Sequence, residues 1–112
     1  MEIIAEIGQN HNGDLVLAEE LIHAAKENGA DVAKFQLFNA QILFPKEGNP
    51  WYEHNLRAEL SHEATERLFA VCKNIGIEFM ASAFDIERIS WLEELGASRH
   101  KLASRSICET DL

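Results

Sequence analysis

Short apolar runs alternate along the chain with longer amphipathic stretches. The runs at residues 3–8, 32–38 and 77–84 have the length and composition of strands that are covered on both faces. Residues 14–28 and 61–75 place apolar side chains on one helical stripe, and each stretch is followed by a glycine that suits a helix C-cap. The pattern therefore predicts two strand–helix units followed by a third strand.

The alternation continues beyond the third strand. Asp85 is a good N-cap for a short helix that stops at Gly96, and an apolar segment at residues 101–104 follows. Four strands and three helices in strict alternation imply parallel strands joined by helical crossovers. Such an α/β chain forms either an open doubly wound sheet or a (β/α)8 TIM barrel, and in both folds the functional residues lie at the carboxyl ends of the strands.

The connection between the second strand and the second long helix is unusually long. Residues 39–60 contain Pro45, Gly48 and Pro50 together with Trp51. Connections of this length are uncommon in a compact domain and often functional. We interpret the segment as a substrate-covering loop at the carboxyl end of the sheet.

Two charged residues interrupt strands that are otherwise apolar. Glu6 stands in the first strand and Lys34 in the second, with Gln36 on the same face two residues later. A buried charge is costly unless it is paired, hydrogen-bonded or bound to a ligand. The floor of an active site would explain all three residues. An ion pair between Glu6 and Lys34 across adjacent strands is the alternative.

Composition and charge narrow the possible functions. The chain has 112 residues, 46% of them hydrophobic, which predicts one small folded domain at residues 1–112. Ten Lys and Arg against 19 Asp and Glu give a net charge of −9, which disfavours nucleic acid or an anionic membrane as a partner. Cys72 and Cys108 lack the spacing of a disulfide framework or a zinc site. Without a visible targeting or spanning segment, the expected location is cytoplasmic.

Four motifs together resemble those of the sialic acid synthase family. They are AEIGQNHNGD at residues 5–14, GADVAKFQ at 29–36, SAFD at 82–85 and KLAS at 101–104, in the family's order and spacing. The resemblance implies a (β/α)8 barrel with N-acetylneuraminate synthase-type activity. That reaction condenses phosphoenolpyruvate with N-acetylmannosamine, or a related amino sugar, to a nine-carbon 2-keto acid. The NHNG and KFQ motifs argue against a different phosphoenolpyruvate aldol-type synthase on the same fold.

The resemblance also implies roles for individual residues. Glu6 matches a first-strand glutamate that acts catalytically, in proton transfer or in stabilising an oxocarbenium-like intermediate. Lys34 and Gln36 match a pair that binds the phosphoenolpyruvate carboxylate and orients the sugar, and a cation with an amide donor suits a planar carboxylate. Ser82 replaces a threonine that donates to the same carboxylate, although a small packing residue is the alternative. His11, in the NHNG turn, is assigned to turn and capping chemistry.

Further matches lie in the fourth segment and in the long connection. Lys101 and Ser104 match a K-x-x-S pair that binds the phosphate, and Asn49 aligns with a sugar-contacting asparagine. Where many relatives have a carboxylate two residues past the serine of that pair, this chain has Ser106. That polar contact is therefore either absent or replaced by Glu109.

Length limits what the chain is expected to do alone. A complete barrel needs about 250 residues, so the resemblance implies an N-terminal half-barrel with the first four β/α units, without the C-terminal half and the antifreeze-like domain. The ligands of a divalent metal, Mn²⁺ or Mg²⁺, belong to the second half. We therefore expect an inactive fragment of an enzyme that forms a C–C bond, with a non-catalytic anion-binding or scaffolding module as the alternative. Unpaired edge strands favour a homodimer or other self-association.

Overall fold

Three parallel strands form one sheet, in the order β1-β2-β3, in the computed structural model, which describes residues 1–112. In chain order the elements are β1 (Ile4–Gly8), α1 (Leu15–Glu27), β2 (Val32–Leu37), α2 (Ala40–Leu43), α3 (Tyr52–Ala58), α4 (His62–Ile75), β3 (Glu78–Ala83) and α5 (Ile86–Leu95), followed by a 3-10 turn at Ser104–Ser106. The three strands and the three long helices lie where the pattern of the sequence predicts them. None of the helices combines the length and the apolar composition needed to span a bilayer.

Side-chain caps set the starts of the three long helices. Asp14, Ser61 and Asp85 accept hydrogen bonds from backbone N–H groups in the first turns of α1, α4 and α5. These bonds satisfy donors that have no partner inside the helix. The cap residues that predict the helix boundaries are therefore the contacts that fix them.

The two faces of the sheet differ in composition because successive strand residues point to opposite sides. One face packs against α1, α4 and α5. Its apolar cluster takes Ile7, Ala33, Phe35, Leu37, Phe79, Ala81 and Ala83 from the strands and Ala18, Ile22, Leu68, Cys72 and Leu92 from the helices. The residues in between, Glu6, Lys34, Gln36, Met80 and Ser82, belong to neither apolar cluster of the protein. The long helices thus share one face, whereas a doubly wound sheet carries helices on both.

The fourth predicted strand is a correction to the sequence analysis. Residues 101–104 contribute one parallel bridge, between Lys101 and Ser82, and the N–H of Lys101 donates to the carbonyl of Ala81 at 3.3 Å. From Ser104 onward the backbone turns into the 3-10 turn. Because the backbone leaves the sheet there, no ladder forms beyond that bridge. The structure has three complete β/α units rather than the four that were predicted.

The long connection after β2 is folded, which also differs from the predicted loop. It contains α2 and α3, and a second apolar cluster of Phe38, Ala40 and Ala58 holds them. The Phe38 and Phe44 rings meet edge to face with centroids 5.4 Å apart. Helices this short are not stable by themselves and leave little periodicity to detect, because tertiary contacts provide most of their stability.

A buried arginine anchors the end of this connection to α5. Arg88 donates to Oδ2 of Asp85 at 2.9 Å, lies 3.9 Å from Oε2 of Glu59 and stacks over Trp91. Oε1 of Glu59 in turn accepts a hydrogen bond of 2.7 Å from the N–H of Ala40, at the start of α2. Both ends of the segment are therefore tied to one charge cluster.

Candidate active site

A row of polar side chains crosses the carboxyl end of the sheet. Gln36 on β2 pairs with Ser82 on β3, and Ser82 bridges to Lys101. Residues that are paired in this way project from the same face of a sheet. An amide, a hydroxyl and an ammonium group therefore stand side by side at the edge where functional residues of parallel sheets lie.

Below this row lies an ion pair between neighbouring strands. Glu6 pairs in register with Lys34, and Nζ of Lys34 donates to Oε2 of Glu6 at 2.5 Å. The side chain of Lys34 is 13% exposed, whereas that of Glu6 is 52% exposed. The ion pair considered in the sequence analysis is thus present. Oε1 of Glu6 makes no hydrogen bond, so it is able to accept one from a bound molecule.

Lys101 is an exposed cation without a carboxylate partner. Its Nζ donates to the carbonyl of the next residue, Leu102, at 2.6 Å. Ser104 is also exposed and opens the 3-10 turn that follows. Two residues later, Ser106 is buried and its Oγ has no hydrogen-bond partner. The structure therefore brings Lys101 into the polar row and places Ser104 one turn beyond it on the same segment.

Asn49 is engaged in a local turn. Its Oδ1 accepts a hydrogen bond of 3.0 Å from the N–H of Trp51, directly before α3. The amide NH₂ group makes no such bond. A contact between Asn49 and a sugar remains a prediction. The NH₂ group would make that contact, because the oxygen is already bound to Trp51.

The NHNG turn is built around a buried histidine. His11 is fully buried, its Nδ1 accepts the N–H of Gly13 at 2.9 Å, and its ring lies 6.1 Å from that of Phe35. Burial and, to a smaller extent, the nearby charge of His54 lower the pKa of His11. The neutral ring is part of the turn, as the sequence analysis expects.

Two contacts that the sequence does not reveal support the polar face. At the amino end of the sheet, Arg99 donates to both carboxylate oxygens of Glu2, at 2.9 and 2.8 Å, and to both of Glu78, at 3.0 Å. Hydrogen bonds with Glu2 and Glu78 raise the pKa of Arg99, and the bond with Arg99 lowers the pKa of Glu2. At the carboxyl end, Gln9 donates to Gln36 at 3.1 Å. Arg99 and Glu2 are 97 residues apart, so no local spacing could predict their contact.

Several known proteins are similar to this chain in sequence. The profile of the NeuB family matches residues 21–112. The N,N'-diacetyllegionaminic acid synthase of Legionella pneumophila is 44% identical over 94% of this chain and 33% of its own length. The human N-acetylneuraminate-9-phosphate synthase is 38% identical over 91% of this chain and 32% of its own length.

A solved structure has the same fold over nearly the whole chain. The N-acetylneuraminic acid (sialic acid) synthetase from Leptospira borgpetersenii serovar Hardjo-bovis, in complex with citrate, superimposes with a TM-score of 0.90 at 34% identity. The match covers 97% of this chain and 38% of that one. The chain thus spans about a third of the length of the curated relatives that it matches.

Proposed function

The chain belongs to the NeuB family, and from this premise we propose that it supplies the phosphoenolpyruvate-binding part of a sugar acid synthase of the N-acetylneuraminate synthase type. The names of its relatives and the arrangement of the polar face support the proposal. In this proposal the three β/α units and the bridged fourth segment are the first half of a (β/α)8 barrel. The remainder of the barrel completes the site in a longer polypeptide.

The observation that carries the proposal is the row of donors above the Glu6–Lys34 pair. The whole chain has a net charge of −9, so an anionic substrate needs a local concentration of donors and cations. Lys34, Gln36 and Ser82 offer an ammonium, an amide and a hydroxyl group to a planar carboxylate. Lys101 and Ser104 lie further along the same edge, where they suit the phosphate of the same molecule.

The proposed reaction forms one C–C bond and releases inorganic phosphate. C3 of phosphoenolpyruvate attacks the aldehyde carbon of an N-acetylated amino sugar, and the positive charge that develops at C2 is captured by water. Phosphate then leaves from C2, which becomes the keto carbon of the product. In this proposal the free oxygen of Glu6 stabilises that charge or accepts a proton from the water. Lys34 holds the other oxygen and thereby fixes the orientation of the carboxylate.

The divalent metal implied by the resemblance does not fit the residues of this chain. No three His, Cys, Asp or Glu side chains lie together as a ligand set. We propose that the ligands for Mn²⁺ or Mg²⁺ lie outside the chain. None of the steps assigned to Glu6 or Lys34 passes through the metal.

Calorimetric titration with phosphoenolpyruvate tests the anion site. We expect weak binding to the chain, and we expect Lys34→Ala or Lys101→Ala to weaken it by about tenfold, which corresponds to 1.4 kcal/mol. Lys73→Ala removes an equal charge from an exposed position on α4 and is the control. Equal affinity in the two site variants and the control would overturn the proposal and favour a scaffolding module.

Phosphate release tests the chemistry. The chain alone is expected to release no phosphate from phosphoenolpyruvate and N-acetylmannosamine with Mn²⁺ present. A longer polypeptide that contains the chain should turn over, and Glu6→Gln in it should lower the rate by roughly a hundredfold if Glu6 transfers a proton. An unchanged rate would reduce Glu6 to a structural partner of Lys34.

A further inference from the structure

The first strand contains a β-bulge next to the polar row. Glu6 pairs with Lys34, but the next residue of β2, Phe35, pairs with Gly8, so that Ile7 is the extra residue of β1. Gly8 has a φ of +56°, in the left-handed region that favours glycine. Bulges of this kind redirect the side chains that follow them.

The bulge brings Gln9 to the side chain of Gln36. In a regular ladder Gly8 would stand opposite Gln36, and Gln9 would stand one residue later on the helix-packed face. With the extra residue, Nε2 of Gln9 instead donates to Oε1 of Gln36 at 3.1 Å. Gly8 also keeps the space open, because a Cβ there would lie 3.3 Å from Oε1 of Glu6 and 3.6 Å from Nε2 of Gln36.

The hydrogen bond from Gln9 occupies the oxygen of the Gln36 amide. A carboxamide has one oxygen acceptor and one NH₂ donor group. With its oxygen bound to Gln9, Gln36 keeps an NH₂ group that makes no hydrogen bond with the protein. A free donor therefore lies on the face of the sheet that also carries Ser82 and Lys101, whose side chains are able to donate.

We propose that Gln9 is a positioning residue that holds the Gln36 amide with its NH₂ group toward the substrate anion. The inference rests on the proposed function, in which Gln36 binds a carboxylate of an enol phosphate. The reversed amide would turn a carbonyl oxygen toward that carboxylate, and two acceptors facing each other repel. Gln9 thus acts through Gln36 and does not itself touch the substrate.

A neutral double-mutant cycle tests the coupling without any change in charge. Gln9→Met, Gln36→Met and the double variant are titrated with phosphoenolpyruvate in the calorimeter. Gln36→Met should weaken binding by about tenfold, the size expected for a hydrogen bond to a charged group. Gln9→Met should weaken it to a smaller extent in the wild-type background and have no effect in the Gln36→Met background. A Gln9→Met effect that persists without Gln36 would overturn the proposal.

Gln9→Glu tests the orientation directly. A carboxylate at this position only accepts, so Gln36 must turn its NH₂ group toward it and its carbonyl oxygen toward the site. In NMR spectra of the ligand-free chain we expect one side-chain amide proton of Gln36 to shift downfield, and we expect phosphoenolpyruvate binding to weaken by more than in Gln9→Met. Gln41→Glu adds the same charge at an exposed position on α2 and is the control.

The outcomes separate this inference from the function on which it rests. If Lys34→Ala weakens phosphoenolpyruvate binding while Gln9→Glu and Gln41→Glu do so equally, the proposed function stands and the role of Gln9 falls. If the Gln36 amide protons are unchanged by Gln9→Glu, the proposed orientation is wrong whatever the ligand does. If the lysine variants bind as the wild type does, the proposed function fails, and the positioning role toward an anion fails with it.

Discussion

Gly13 lies against the backbone carbonyl of Arg57 so closely that an added Cβ would stand 1.8 Å from the carbonyl oxygen. The NHNG turn after β1 is thereby docked onto α3, which belongs to the long connection. A side chain at position 13 would collide with backbone atoms, which cannot move aside as a flexible side chain could, so the collision would destabilise the fold.

Gly13→Ala should therefore destabilise the protein strongly. Gly13 has a φ of +81°, which costs an alanine about 1–2 kcal/mol, and the collision adds to that cost. Gly48, with a φ of +71°, has no atom within 4 Å of the point that an added Cβ would occupy, so Gly48→Ala isolates the backbone effect. Urea unfolding should give a loss of at least about 3 kcal/mol for Gly13→Ala and clearly less for Gly48→Ala. Equal losses would mean that the turn and α3 are not docked.

Arg99→Met should loosen the segment that carries Lys101. The segment has one bridge to β3, and the bonds from Arg99 to Glu2 and Glu78 lie two residues before it. Amide hydrogen exchange should become faster at Lys101 and stay unchanged at Leu92 in α5. Arg99→Lys should restore only part of the protection, because lysine lacks the planar fork that binds two carboxylates. Identical exchange in wild type and Arg99→Met would show that the bridge alone holds the segment.

Stability should fall on acidification because of His11. Its pKa is lowered in the folded state by burial, so the unfolded chain takes up a proton at higher pH than the folded one does. The free energy of unfolding should therefore decrease as the pH falls below about 6.5, the ordinary pKa of histidine, until the folded state is protonated as well. His11→Gln should flatten this part of the profile, and His23→Gln, at an exposed position on α1, should leave it unchanged. A profile that is insensitive to His11→Gln would contradict the assignment.

The two cysteines should differ sharply in reactivity. Burial raises the pKa of Cys72 to about 12, whereas Cys108 is exposed. At pH 8 iodoacetamide should modify Cys108 in the native chain and reach Cys72 only after unfolding in urea, because the thiolate is the reactive form. Mass spectrometry after each treatment counts the modified thiols. Equal labelling of both in the native state would mean that the core around Cys72 opens readily.

Self-association is expected from the free edge of β1. Ile4 lies at this edge with 44% of its surface exposed, and an unpaired strand is a template for another chain. Sedimentation over a wide concentration range should show dimers or larger species, and Ile4→Lys should reduce them. Val16→Lys, at an apolar residue of α1 with 62% exposure, controls for the added charge. A monomer at every concentration would contradict the prediction.

The sequence predicts the parts of the fold that are specified by local chemistry. Asp14, Ser61 and Asp85 mark the helix starts because a cap acts within its own turn. The pairing of Glu6 with Lys34 is also foreseeable, since a charge in each of two neighbouring apolar strands has few other partners. Lys34 and Gln36 could be singled out because they interrupt an apolar strand. The roles proposed for Ser82, Lys101 and Ser104 follow from the resemblance to a known family.

What the sequence does not reveal depends on contacts between distant segments. The helices of the long connection form because Phe38 and Glu59 hold them, and neither contact leaves a periodic signal. The segment at Lys101 resembles a strand in composition, yet strand formation requires a partner along its length, and one bridge is all that β3 provides. The sequence does not indicate the role proposed for Gln9, because a bulge reverses the side of the sheet to which each following residue of the strand points.

The extra residue at Ile7 makes strand length itself a determinant of the site. Deleting one residue between Glu6 and Gln9 would keep every polar side chain of the motifs but move Gln9 to the side of the sheet that packs against the helices. Related chains that differ by a gap at this point should therefore differ in how they hold the Gln36 amide, even where Glu6, Lys34 and Gln36 are identical. A comparison of residue types alone would miss that difference, because it depends on the number of residues in β1 and not on their identity.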